Sequence, residues 1–249
     1  MAKNALSTEE LLTKRGAFIR DMFASIASIY DVMNSVLSLM FDRHWRDKAA
    51  RWARLPHDAF VLDVCCGTGK LALQFARTLG AQARVIGADF CREMLQAGAR
   101  CLPRKDAGRI HFTEADTLLL PFPNDMFDAV SSAFGIRNVA DLERSIREMV
   151  RVTKPGGKIV ILDFARPRGA VFRQLYELYF TRIIPLAGRM VHRGRMSPYT
   201  YLPQSVLRFV TTPELAATLA DKGVTNIETR EFTLGIAVLV VGTKMPKGQ

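Results

Sequence analysis

Asp63, Gly67, Thr68, Gly69, Asp89 and Asp116 are the residues of this chain whose types and spacing best suit chemistry. Gly67-Thr68-Gly69 stands where an apolar run ends and a helical pattern begins. Glycines there let the backbone approach a ligand, and the N-terminus of the next helix offers unpaired N–H groups. With Ala72 they also satisfy G-x-G-x-x-A, so a dinucleotide turn is one reading and a purely structural tight turn another. Asp63 precedes Gly67 by four positions. A carboxylate there meets a pyrophosphate badly but suits a ligand carrying an ammonium and a sulfonium. Asp89, 22 residues beyond Gly67, stands where an acid can accept both hydroxyls of a ribose. Asp116, followed by Thr117, can hold an adenine amino group. A single Asp is more often a solvated loop residue or a helix cap. Three at successive strand ends, on the edge where open α/β sheets take ligands, are hard to read that way.

These residues need a sheet to align them, and the patterning supplies one. Short apolar runs at 59–64, 84–89, 110–112, 127–131 and 158–163 read as buried strands. Helical patterns at 70–79, 94–101 and 142–152 separate most of them, which predicts a parallel sheet of right-handed crossover units. After the helix at 213–222, the runs at 225–232 and 236–242 lie too close for another helix, so they form an antiparallel hairpin. The expected fold is α/β, a Rossmann-like sheet, mainly parallel with one antiparallel strand. Before it, the spacing predicts one helix beginning near Ser7 and a second running from about Asp31 through Trp52. Residues 168–206 break the rhythm and read as a helical insert. The divisions are therefore 1–57 as an N-terminal helical cap, 58–167 as core, 168–206 as insert, and 207–249 completing the core.

The 249 residues are 49% hydrophobic, enough for one full core. No unbroken apolar run approaches the ~18 residues of a membrane span, and Met1 to Arg15 lack an apolar signal core, so the expectation is a cytoplasmic protein. A net charge of +11 favours nucleic acid, anionic headgroups or acidic small molecules without choosing among them. Cys65 and Cys66 are expected on the end of a strand, facing opposite sides as buried small hydrophobes. The four histidines are scattered, and no metal is expected.

D-V-C-C-G-T-G (63–69), G-A-D-F (87–90), A-D-T-x-x-x-P-F (115–122) and R-V-T-K-P-G-G (151–157) together resemble the class I methyltransferases, over roughly residues 58–164. The cofactor that resemblance implies is S-adenosyl-L-methionine, held by Asp63, Gly67, Thr68, Gly69, Asp89, Asp116 and Thr117. The asparagine-proline-proline-aromatic loop usual in enzymes that methylate base amino groups is missing after the fourth strand, so no nucleic acid is expected as partner. Instead F-G-I-R-N-V (134–139), the stretch Phe23 to Asn34 and Y-T-Y-L-P-Q-S-V (199–206) resemble the UbiE/MenG/COQ5 family, which C-methylates ring carbons of ubiquinone and menaquinone precursors. That likeness extends over about 20–242. It implies a prenylated quinol as substrate. Arg137 would stabilise an oxyanion or order a water, and Asn138 would orient a ring oxygen. Tyr30 is a further catalytic candidate, and Asn34, Phe134 and Tyr201 line the ring pocket. The plain structural alternative for Arg137 is a salt bridge to Asp141 or Glu143. Three departures stand out: Gln204 for a usual Glu, basic residues at 192–195 where the family carries acids, and Lys70 for a common Asp. Another small-molecule, lipid or RNA acceptor remains the alternative. Phe172, Leu175, Tyr176, Tyr179 and Phe180, with Arg182, Arg189, Arg193 and Arg195, form a face suited to peripheral membrane contact at the inner leaflet. Such an apolar stripe more often serves a core or a homodimer contact.

Overall fold

The computed structural model describes residues 8–38, 40–165, 167, 169, 201, 205–206 and 208–246. The expected insert, with its aromatic run, its basic cluster and Gln204, falls almost wholly outside them; only Gly169, Tyr201, Ser205 and Val206 of that stretch are described. The described elements are α1 (Thr8–Ile26), α2 (Tyr30–Leu37), α3 (Phe41–Trp52), β1 (Phe60–Val64), α4 (Lys70–Thr78), β2 (Arg84–Asp89), α5 (Arg92–Cys101), β3 (Ile110–Glu114), β4 (Phe127–Ala133), α6 (Leu142–Val152), β5 (Thr153–Phe164), α7 (Thr212–Asp221), β6 (Val224–Phe232) and β7 (Ala237–Lys244).

Seven strands form one sheet in the order β3-β2-β1-β4-β5-β7-β6. β7 runs antiparallel to both its neighbours, and the other described pairs are parallel, as the patterning predicts. Parallel strands covered on both faces read as continuous apolar runs rather than alternations. Thus Val61 packs with Trp45, Leu71 and Phe75 on one face, while Leu62 and Val64 pack with Ile146, Met149 and Leu215 on the other. Local signals set the helix ends. Asp141 caps α6 by accepting the Arg144 N–H at 2.9 Å, and Thr211 with Glu214 makes a reciprocal capping box on α7. No described helix is long and apolar enough to cross a membrane.

Three expectations are corrected. The single helix from Asp31 through Trp52 is two helices, interrupted at Met40, whose φ of 67° is left-handed. The Ser38 hydroxyl accepts the Asp42 N–H at 3.4 Å and donates to its carboxylate at 2.9 Å, so a side chain replaces the helical pairing. The strand expected at 158–163 begins earlier, with Lys154-Pro155-Gly156-Gly157 already part of β5. Pairing jumps from Phe127↔Thr153 to Ala129↔Lys158, and this wide irregularity absorbs the glycines, with Gly156 at φ 78°. Finally, β1 ends at Val64 and Cys65 has φ 51°, so the two adjacent cysteines do not alternate across a strand. Both are half-buried rather than buried.

Candidate active site

β1 is flanked by β2 on one side and β4 on the other, so the connections after β1 and β4 leave the sheet in opposite senses and open a crevice between them. A cavity of about 480 Å³ lies there, within the usual size of a small-molecule site. Gly67, Asp89, Ala115, Asp116 and Thr117 line it from the ends of β1, β2 and β3, and Phe134 and Asn138 from beyond β4. α1 supplies the covering side through Gly16, Ile19, Arg20 and Phe23, and α2 adds Tyr30.

The turn after β1 needs its glycines for two reasons. Gly67 and Gly69 both have positive φ, 56° and 75°. A Cβ on Gly69 would also stand 2.6 Å from the Phe112 ring. The Gly67 N–H donates to Asp89 Oδ2 at 2.8 Å, and the Cys91 N–H to Oδ1 at 2.9 Å. Burial pushes the Asp89 carboxyl up to about 6, against the pull of these backbone donors. Asp116 is exposed at the cavity edge and accepts the Leu118 N–H at 2.9 Å; the Thr117 hydroxyl pairs with Ser145 at 3.0 Å. The loop beyond β4 touches the turn directly, since a Cβ on Gly135 would fall 2.4 Å from Cys65 Cβ.

Not every expected site residue reaches the cavity. Asp63 is 1% exposed and lies behind the turn, where it accepts the Ala72 N–H at 3.1 Å and the Ser131 hydroxyl at 2.8 Å. It pins the first turn of α4 to β1 rather than lining the cavity, and desolvation raises its carboxyl to about 7. Thr68 turns to the far side and donates to Asp31 at 2.6 Å. Arg137 does make a salt bridge, but not to Asp141 or Glu143. Its guanidinium, 5% exposed, pairs with fully buried Asp163 at 2.7 Å, donates to the Phe134 carbonyl and lies 5.2 Å above the Phe164 ring. Burial raises the Asp163 carboxyl and the Arg137 charge opposes it. Asn138, next in sequence, does line the cavity, and its Oδ1 accepts the Tyr201 hydroxyl at 3.1 Å. Tyr30 packs edge-on to Phe23 with centroids 5.8 Å apart. Burial raises its hydroxyl pKa, while the Arg137 charge and a hydrogen bond with Asn34 lower it. Asn34 itself lines a second cavity on the other side of α2. Phe134 adopts φ 59° and packs 6.0 Å from Trp45 and 4.7 Å from Phe164.

Sequence reasoning did not find Asp163, Asp31 or the α1 residues. Asp163 ends an apolar strand just as Asp63 and Asp89 do, a signal that was present. Of the α1 residues only Phe23 falls in the stretch likened to the family; the others arise from packing between distant segments.

Residues 10–244 match the ubiE/COQ5 methyltransferase family. The chain is 42% identical over 234 residues to the Ubiquinone/menaquinone biosynthesis C-methyltransferase UbiE of Geobacter sulfurreducens, covering 94% of this chain and 91% of that one. It is also 42% identical over 234 residues to the Demethylmenaquinone methyltransferase of Deinococcus radiodurans, covering 92% and 94%. The fold is similar to that of a SAM-dependent methyltransferase from Thermotoga maritima, with TM-score 0.65 at 17% identity over 90% of this chain and 99% of that one. A SAM-dependent methyltransferase from Aquifex aeolicus gives TM-score 0.58 at 17% identity, covering 80% and 88%.

Proposed function

The chain belongs to the ubiE/COQ5 methyltransferase family, and from that membership we propose that it transfers the methyl group of S-adenosylmethionine to a ring carbon of a prenylated hydroquinone, a demethylmenaquinol or a ubiquinol precursor. The observation that carries this reading is a single cavity with two kinds of lining. Gly67, Asp89, Asp116 and Thr117 line it together with Tyr30, Phe134 and Asn138.

The first group fits the cofactor. Gly67 brings backbone close without a side chain in the way, Asp89 offers carboxylate oxygens to ribose hydroxyls, and Asp116 with Thr117 faces the adenine edge. Asp63 supports this side at one remove, by fixing the first turn of α4 to β1. When bound, S-adenosylmethionine supplies an electrophilic methyl carbon. The second group serves the acceptor. A ring carbon is nucleophilic enough only in the reduced, electron-rich hydroquinone. The Asn138 amide can hold a ring oxygen, and Tyr201 fixes that amide by donating to its Oδ1. Tyr30 lines the same cavity, and Arg137 lends it positive potential from outside the lining. Asn34 completes this arrangement by bonding Tyr30. α1 covers the cavity through Gly16, Ile19, Arg20 and Phe23.

On this reading residues 1–57 are an acceptor-side cap, 58–167 with 207–249 the cofactor core, and 168–206 an acceptor lid. A prenyl tail has to leave a bilayer, so the enzyme works peripherally at the inner face of the membrane.

Methyl-labelled S-adenosylmethionine incubated with demethylmenaquinol and, separately, with a demethylated ubiquinol precursor tests the proposal. Label should appear on the ring of at least one. A protein that binds the cofactor yet labels neither would overturn it.

A further inference from the structure

Helix α2 is eight residues long, and a helix that short is marginal in water by itself. Its outer side buries little, since Val32 is 66% exposed. Two successive residues of α2 meet the glycine turn from opposite sides. Tyr30 lines the active-site cavity, with its ring 3.7 Å from where a Cβ on Gly67 would stand. Asp31 points to the second cavity, of about 660 Å³, on the other side of α2. There its Oδ1 accepts the Thr68 hydroxyl at 2.6 Å, and its Oδ2 meets Lys70 Nζ at 3.0 Å. Both partners belong to the cofactor turn or to the first residue of the helix it opens.

We infer that Asp31 is a positioning residue that latches the acceptor-side helix α2 onto the cofactor turn, so that binding at the two halves of the site is coupled. The inference rests on the functional reading above. A ligand that orders Gly67 to Gly69 fixes the Thr68 hydroxyl and the Lys70 ammonium, and through Asp31 it fixes the helix that carries Tyr30 and Asn34. By linkage, an acceptor that orders α2 must tighten cofactor binding by the same factor. The two bonds contribute differently. The short charge-assisted Thr68 bond is the geometric part. The Lys70 pair, with side chains 42% and 28% exposed, is weaker and screened by salt. Lys70 is suited to the task by its sign, because an acid at 70 would face Asp31 across the same gap.

Amide hydrogen exchange over residues 30–37, with and without S-adenosylhomocysteine, reads the latch directly. In the unaltered protein the ligand should slow this exchange. In Asp31→Ala the slowing should be lost, while the melting temperature without ligand stays close to the original. The KM for the quinol at saturating S-adenosylmethionine should rise about tenfold, roughly the weight of one charged hydrogen bond. Lys70→Asp should give part of the effect, and Asp31→Lys combined with Lys70→Asp should recover some protection. Retained slowing in Asp31→Ala overturns the inference alone. No binding of S-adenosylhomocysteine to the unaltered protein overturns both the latch and the functional reading.

Discussion

Asp63 and Asp89 are carboxylates that the fold holds at a cost to itself, since burial raises them from the ordinary 3.8 to about 7 and about 6. The folded protein therefore keeps a proton on Asp63 that the unfolded chain has released between about pH 4 and 7, and stability should fall as pH rises through that window. Asp63→Asn keeps an oxygen for the Ala72 N–H and removes the buried charge. It should melt above the unaltered protein at pH 8, with the difference gone at pH 5; parallel melts at the two pH values check this. Asp89 faces the ligand instead. Asp89→Ala should weaken cofactor binding by about 1–3 kcal/mol, the range for losing a charged hydrogen-bond partner. Affinity in the unaltered protein should rise as pH passes through about 6 and Asp89 ionises, an increase absent from the variant; calorimetric titration across pH 5–8 reads both. Arg137 is the opposite case, a charge whose partner is buried with it. Arg137→Ala leaves Asp163 unpaired and should cost about 3–5 kcal/mol of stability, so a loss of turnover in that variant alone says little about chemistry. Arg137→Met with Asp163→Asn should recover most of the stability in denaturant titrations. Turnover of that pair then measures what the Arg137 charge does for Tyr30.

The two connections that leave β1 and β4 act as one element, because Gly135 and Cys65 touch without room for a methyl group. Gly135→Ala would place a Cβ 2.4 Å from Cys65 Cβ and 2.9 Å from its carbonyl oxygen. The connections must then part. The expected result is a lower melting temperature together with weaker binding of S-adenosylhomocysteine, although position 135 is not among the residues assigned to the cofactor. The strands around these loops were legible because their runs are apolar on both faces and their helices are amphipathic. Leu142–Val152 matches its expected bounds throughout. The break at Met40 was not legible, for no Gly or Pro marks it; the left-handed turn is held by Ser38 and Asp42. The same holds for Cys65 and Phe134, which take positive φ because tertiary packing demands it. Of the residues that line the cavity, Gly67 and Asp89 were readable from spacing. The true partner of Arg137 was not, since Asp163 lies 26 residues away and local acids at 141 and 143 looked equally able. Asp141 is instead a helix cap, and Glu143 pairs with Lys222 at 3.2 Å.

At the scale of the whole molecule, the glycine turn that a dinucleotide could also claim is joined to one sheet and covered by helices α1 and α2. Ligand binding should therefore register in global stability. S-adenosylhomocysteine at about 100 times its Kd should add about 2.7 kcal/mol, or roughly 5–10 °C in melting temperature for a chain of this size, and NAD should add nothing. A rise with NAD alone would return the turn to the dinucleotide reading. The sheet order carries a further implication. β7 (Ala237–Lys244), the last described strand to be synthesised, is not at the margin but lies between β5 and β6. While a ribosome is still making the chain, β5 is an unprotected edge bearing Ile159, Val160, Ile161 and Leu162. Strand edges of that kind pair with whatever is nearest. A product cut short between residues 165 and 237 would carry every cofactor residue named above and still be prone to aggregate, so β7 decides whether such a nascent chain becomes an enzyme or a substrate for proteolysis.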